Sequence, residues 1–210
     1  MSRHLSVLAI QPDEAESPIR ARIVQQARRH FLLHGFRGVS MDDLAVDLGI
    51  SKKTLYAHFA SKADLLKEAI RAKFGEVDAD LERLVAVEGR SFPNQLQQLL
   101  ECLERHLKEP QPSFIRDMQR EPELFAWIQT LRRERIERYF GKLFAEGRRA
   151  ELIREDVSAK LMIEILLGAI EAIINPQKLE ELGLTPKTAF PMVVTVVLRG
   201  ILTDHGRQQS

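Results

Sequence analysis

From Ile19 to Leu202 the apolar residues recur three and four apart, and no stretch shows the period-two alternation of a half-buried strand. Such spacing confines the chain to helix packed on helix, so the expected fold class is all-α. The helix ends are written in capping residues. Ser17-Pro18 is a start, with serine as N-cap and proline at the first helical position; Ile19, Ile23, Ala27 and Phe31 follow at four-residue intervals, and His34-Gly35 is a stop. Ser40, Ser51 and Ser61 cap three further helices. The first carries Leu44, Ala45 and Leu48 and ends at Gly49, the second carries Leu55 and Phe59, and the third carries Leu65, Leu66, Ala69, Ile70 and Phe74 and continues to about Val87.

Beyond Gly89 prolines punctuate longer segments. Pro93 opens one through Leu96, Leu99, Leu103 and Leu107; a short piece spans Phe114 to Gln119; Pro122 begins a long one through Leu124, Ile128, Ile136, Phe140 and Phe144. The stretches 159–175 and 189–202 are apolar around most of their circumference, so each needs cover on more than one side, and in a chain of 210 residues a second subunit would supply it. About nine helices in all are expected. They divide into a tail over 1–16 with no apolar period, an N-terminal module over 17–75 and a larger C-terminal region over 76–210.

The net charge of +1 conceals an asymmetry. Residues 1–75 hold twelve basic against eight acidic residues, a net of +4, and the remainder nineteen against twenty-two, a net of −3. Any polyanion is therefore expected to meet the N-terminal module. The single cysteine, Cys102, excludes an intramolecular disulfide framework and a cysteine-cluster zinc site and fits a reducing compartment, so a cytoplasmic location is expected. No run reaches the ~18 apolar residues of a membrane span, and the opening MSRHLSVLAIQPDEAES lacks the apolar length of a secretory signal.

The stretch from Gly35 to Leu66 reads as helix, a glycine-containing turn at Leu48-Gly49-Ile50-Ser51, then a second helix, which is helix-turn-helix spacing. Leu44, Ala45, Leu48, Ile50, Leu55 and Phe59 can pack the helices together, leaving Lys52, Lys53, Thr54, Tyr56 and His58 to point outward. Lysines at the start of such a helix are placed to donate to guanine O6 and N7, and Tyr56 and His58 to phosphate oxygens. Ser40 and Lys62 stand at helix N-termini, where free N–H groups favour a phosphate.

The run SKKTLYAHFASK from Ser51 to Lys62, with Leu44-Ala45 and Gly49-Ile50 before it, Leu65-Leu66 after it and Gly35-Phe36 and Ser40 leading, resembles the DNA-binding signature of the TetR family of bacterial transcriptional regulators over residues 18–65. The resemblance implies that Lys52 and Lys53 approach bases and that Ser40, Ser51, Thr54, Tyr56, His58 and Lys62 contribute to the DNA-binding surface. Lys53 departs from the glycine common at that position and adds charge and reach. It further implies a homodimer that reads an inverted-repeat operator and represses transcription, with the last two long helices pairing across a two-fold axis through Leu161, Ile165, Ala169, Ile173, Val193, Val196 and Val197. The C-terminal region would bind a small apolar or amphipathic effector. A regulator controlled by a protein partner or acting as an activator, and an enzyme using the C-terminal pocket, are the alternatives.

Candidate effector-lining residues are Cys102, His106, Phe114, Met118, Phe125, Trp127, Tyr139 and Met162, a mixture of aromatic and soft groups with few polar atoms, together with Glu164 and Glu171, seven apart in an apolar helix. His30 and His34 are spaced as a metal pair, but no carboxylate or thiol completes the set, so no metal and no cofactor is expected. No Gly-x-Ser-x-Gly, His-Glu-x-x-His or phosphate-binding glycine loop is present, and the expectation is a protein that is not an enzyme.

Overall fold

The computed structural model describes residues 18–85, 91–107 and 110–204. The expected tail over 1–16 and the continuation of the fourth helix to Val87 lie outside the described residues. Ten helices are present among the described residues, and no extended strand. The N-terminal four are α1 (Pro18–His34), α2 (Met41–Leu48), α3 (Lys52–His58) and α4 (Lys62–Val85). Then follow α5 (Phe92–Leu107), α6 (Pro112–Gln119), α7 (Pro122–Arg149), α8 (Ala159–Ile173), α9 (Pro176–Glu181) and α10 (Pro186–Ile201).

The expected Ser17 cap lies outside the described residues; the caps of α2 and α3 behave as the sequence predicts. Ser40 and Asp43 form a reciprocal capping box, Gly49 ends α2 in the left-handed conformation (φ 64°), and the Ser51 hydroxyl accepts from the Thr54 N–H. The helix beyond the expected nine is α9, six residues capped by Asn175. Its start signal, Asn before Pro, lies in the stretch otherwise read as the end of α8. α10 begins three residues earlier than expected, where Thr185 and Thr188 cap each other.

Two apolar cores form, and they do not divide the chain at residue 75. One gathers Ile23, Ala27 and Phe31 of α1, Leu44 and Leu48 of α2, Leu55 of α3 and Leu65, Leu66 and Ile70 of α4. Phe114 and Met118 of α6 and Leu124 and Ile128 at the head of α7 belong to this same core. The other gathers Val77 and Leu81 of α4, the buried face of α5, Ile136 to Phe144 of α7, and the inner faces of α8 and α10. The segment after α7 closes this end: Ile153 bridges Leu202, Arg154 N–H donates to the Ile201 carbonyl at 2.9 Å, and Thr203 N–H donates to the Leu152 carbonyl at 3.0 Å.

α6 is fixed to the N-terminal module by polar contacts as well. The Asp117 carboxylate accepts the Arg37 N–H at 2.8 Å, and the Gln111 N–H donates to the Leu32 carbonyl at 2.9 Å. Gly35, at φ 87°, makes room for this docking, since a Cβ there would sit 2.5 Å from Asp117 Oδ2. Gly49 is equally left-handed, but a Cβ on it would meet nothing within 4 Å. Both alanine substitutions incur the left-handed penalty of about 1–2 kcal/mol, and Gly35→Ala additionally displaces the Asp117 carboxylate from the Arg37 N–H. Urea denaturation is therefore expected to show a larger loss of stability for Gly35→Ala than for Gly49→Ala; equal losses would remove Asp117 as the reason for a glycine at position 35.

Candidate nucleic-acid interface

α3 is seven residues long and cannot hold its orientation alone. Leu55 is fully buried and Phe59, its C-cap, is 3% exposed, so the inward face is locked against α1, α2 and α4. Burial of a Leu or Phe contributes about 1.5–3 kcal/mol each, enough to seat a short helix. The Arg20 guanidinium stands 5.1 Å from the Phe59 ring centroid and pairs with Glu68 at 3.1 Å, tying α1, α3 and α4 together. His30 and Gln26 of α1 hold Asp47 of α2 at 2.6 and 2.8 Å, and hydrogen bonds from Gln26 and His30 keep the Asp47 carboxyl below its usual range. The His30 and His34 rings lie 5.6 Å apart and tilted at 54°, and His30 braces α2 through Asp47.

The opposite face of α3 looks outward. Lys52, Lys53 and Tyr56 are exposed, while Thr54 and His58 are half-buried. Lys52 Nζ lies 2.5 Å from Asp42 of α2, a surface pair that a stronger polyanion would exchange readily. Lys53 makes no hydrogen bond or ion pair among the described residues. The hydroxyls of Ser51 and Thr54 bond each other at 2.8 Å, and Ser40 donates its hydroxyl to Asp43 at 2.6 Å, so these three act first as helix caps. The bond from Ser40 is the main cause of the lowered Asp43 pKa.

Lys62 is turned inward. Its ammonium donates to the carbonyls of Phe36 and Val39, each at 3.0 Å, and lies 4.4 Å from the centre of the Phe36 ring. It thereby clamps the turn between α1 and α2 to the start of α4, in a geometry already fully engaged within the module.

The ten candidate effector residues do not surround one cavity. Phe114 and Met118 are buried in the N-terminal core, with Phe125 and Trp127 packed on it. Cys102, Tyr139 and Met162 are buried in the other core, where burial pushes the Cys102 thiol upward. The Tyr139 hydroxyl donates to Asp78 at 3.2 Å, and its pKa is raised to about 12 by burial and by that carboxylate. His106 bridges two residues of α4. Lys73 can only donate, so Nδ1 accepts from Lys73 at 3.0 Å and Nε2 donates to Asp80 at 2.9 Å, the contact that chiefly lowers the Asp80 pKa. Glu164 pairs with Arg133 at 2.8 Å, and only Glu171 lines a cavity, with Gln129 and Arg132. Lys73, 7% exposed and missed as a core residue, was signalled by its place in the apolar spacing Leu66, Ile70, Lys73, Val77.

Among the dimer candidates Leu161, Ile165 and Val196 are exposed at 51%, 48% and 72%, joined by Met192 at 55%. Ala169 and Ile173 are half-buried, and Val193 and Val197 pack partly against the C-terminal core. The placement of the lysines gives a test of their separate roles. Lys62→Ala is expected to destabilise the fold by about 1–3 kcal/mol, through loss of two charge-assisted hydrogen bonds, and Lys53→Ala to stay within about 0.5 kcal/mol of the parent. Thermal unfolding of the two variants checks this.

Comparison with known proteins agrees with this geometry. The family described as bacterial regulatory proteins, tetR family, matches residues 23–69, which run from α1 into α4. The HTH-type transcriptional regulator YvaF of Bacillus subtilis (strain 168) is 26% identical over 187 residues, covering 88% of this chain and 96% of that protein. The HTH-type transcriptional repressor DhaR of Mycobacterium sp. (strain GP1) is 24% identical over 198 residues, covering 90% and 94%. Among solved structures, a TetR-family transcriptional regulator from Marinobacter aquaeolei VT8 shares the fold, with a TM-score of 0.64 and 20% identity over 91% of this chain and 95% of that one. With an outward-facing α3 held in a helix-turn-helix, residues 23–69 match the DNA-binding module of the tetR family, and the chain is similar over about nine-tenths of its length to HTH-type transcriptional regulators.

Proposed function

We propose that the protein is a homodimeric, ligand-responsive repressor that reads an inverted-repeat operator through α3. The observation that carries this reading is the two-sidedness of α3: Leu55 and Phe59 fix its inner face while Lys52, Lys53 and Tyr56 stand exposed on the other. Lys52 and Lys53 meet base edges from the N-terminal end of the helix, and Tyr56, His58, Ser40, Ser51 and Thr54 lie along the backbone walls of the groove. Lys62 acts on DNA by holding the turn between α1 and α2 in position.

Dimerisation follows from the face that one chain leaves uncovered. Leu161 and Ile165 are one turn apart on α8, Met192 and Val196 one turn apart on α10, and the two helices pack side by side. Four large apolar side chains so grouped make a patch suited to a self-complementary, two-fold contact. Two modules would then enter successive major grooves roughly 34–36 Å apart. Repression is supported by the repressor name of the relative DhaR. An effector in the C-terminal core would act because α4 and α7 run through both cores, so repacking one end reorients α3. A near-complete switch requires about 5.5 kcal/mol of differential effector affinity between the two states. A cytoplasmic location suits this role.

Selection of bound sequences from a random DNA pool is expected to return an inverted repeat; return of no symmetric site would overturn the operator reading. On the recovered site Lys53→Ala and Tyr56→Ala should each weaken binding by about 1–3 kcal/mol, and a variant that loses a phosphate contact should lower the salt slope by about one. Light scattering should show a dimer for the parent and a monomer for Val196→Glu, because a carboxylate buried at a two-fold contact meets its own copy. A monomeric parent would remove the dimer.

A further inference from the structure

The groove between α7 and α8 contains two polar groups that the fold leaves unmet. It holds an open cavity of about 210 Å³, with Gln129, Thr130, Arg132 and Arg133 on one side and Leu167, Ile170 and Glu171 on the other. The side-chain carbonyl oxygen of Gln129 is buried without a hydrogen-bond partner. The Arg132 guanidinium has no hydrogen bond or ion pair among the described residues, and Glu171 acts on it only at longer range. Burial lowers the Arg132 pKa, with Glu171 partly opposing that shift. Its neighbours differ: Arg133 reaches Glu164 at 2.8 Å, and Arg135 reaches Asp78 at 2.8 Å. The other buried unmet nitrogens, Nε of Arg135 and of Arg148, belong to guanidinium groups already bound through Nη.

A partly buried charge without a partner and a buried carbonyl without a donor each penalise folding, and native structures keep such groups where something else completes them. At roughly 30 Å³ per water, the cavity holds about seven waters or one small organic molecule. From these residues we infer that the cavity binds a small organic acid, its carboxylate forked on Arg132 and its apolar part against Leu167 and Ile170. Arg132 presents the planar pair of donors that a carboxylate matches. Glu171 at the same cavity disfavours a second negative charge, so monoanions are selected over dianions. This names the effector class for the regulatory reading above and rests on that reading only for its consequence on DNA.

The test uses the full-length protein without DNA. Sodium lactate and sodium mandelate are titrated calorimetrically beside lactamide and mandelamide, which have the same shape and no charge. At least one acid should bind saturably with Kd at or below about 1 mM, its amide should bind at least tenfold more weakly, and Arg132→Gln should weaken the acid about tenfold or more. Arg132→Lys should fall between, keeping the charge and losing the fork. The unliganded Arg132→Gln variant should melt at or above the parent temperature, because an unpaired buried charge has been removed. Absence of saturable binding by either acid, equal binding of acid and amide, or unchanged affinity in Arg132→Gln would overturn the site. So would a lower melting temperature or a weakened dimer in that variant, since either would make the guanidinium a structural or partner-subunit contact. Acid binding that leaves operator affinity unchanged would support the site and sink its regulatory role. Operator release by a compound that binds Arg132→Gln as well as the parent would do the reverse.

Discussion

Everything in this molecule hangs on two helices that each belong to two cores. α4 gives Leu65, Leu66 and Ile70 to the N-terminal core and Val77 and Leu81 to the other; α7 gives Leu124 and Ile128 to the first and Ile136 through Phe144 to the second. They are also joined to each other along their length. Arg135 pairs with Asp78 at 2.8 Å and lies 4.5 Å from the Phe74 ring centre, Arg138 pairs with Glu82 at 2.7 Å, and Arg71 sits 5.3 Å from the Trp127 ring centre. Close-packed interiors transmit displacement, so neither end of this pair of rods can shift without the other responding. α6 adds a third link, through Asp117 at the turn that precedes α2.

The polar groups along these helices fall into two kinds. Lys73, His106 and Asp80 are drawn between α4 and α5, yet each finds a partner, and Arg83 at 2.9 Å and Arg105 at 3.6 Å also face Asp80. With two guanidinium groups and the His106 N–H around one carboxylate, the grouping of Asp80, Cys102 and His106 is a satisfied network ill suited to a further cation. Gln129 and Arg132 are the other kind, polar groups beside a cavity with no hydrogen-bond partner among the described residues for the Gln129 carbonyl or the Arg132 guanidinium. Satisfied networks hold helices in register, and unsatisfied ones mark where a structure awaits a partner.

Much of the helical layout was legible because caps act locally. Ser40, Gly49, Ser51 and Ser61 work through bonds within three or four residues, so their effect survives without knowledge of the fold. α9 was hidden because six residues carry too little periodicity to separate them from the end of α8. The outward set Lys52, Lys53 and Tyr56 was equally legible, since Leu55 and Phe59 define the inward face by spacing alone. The fate of Lys62 was not: its partners, the carbonyls of Phe36 and Val39, lie more than twenty residues away in the chain.

The candidate effector set shows the same boundary. Aromatic and soft residues at helical spacing announced burial, and Phe114, Met118, Cys102, Tyr139 and Met162 are buried. Spacing carries no information on which core receives a side chain, because that depends on how whole helices are laid against one another. The sequence by itself determined the helical class and the capped helix-turn-helix with its charged outer face, both consequences of contacts within a few residues. Only the tertiary structure decided that α6 and the head of α7 join the N-terminal core, that Lys62 turns inward, and that Gln129 and Arg132 line a cavity beside Glu171. Each of these depends on groups from separate helices meeting in space, and a one-dimensional pattern does not fix such meetings.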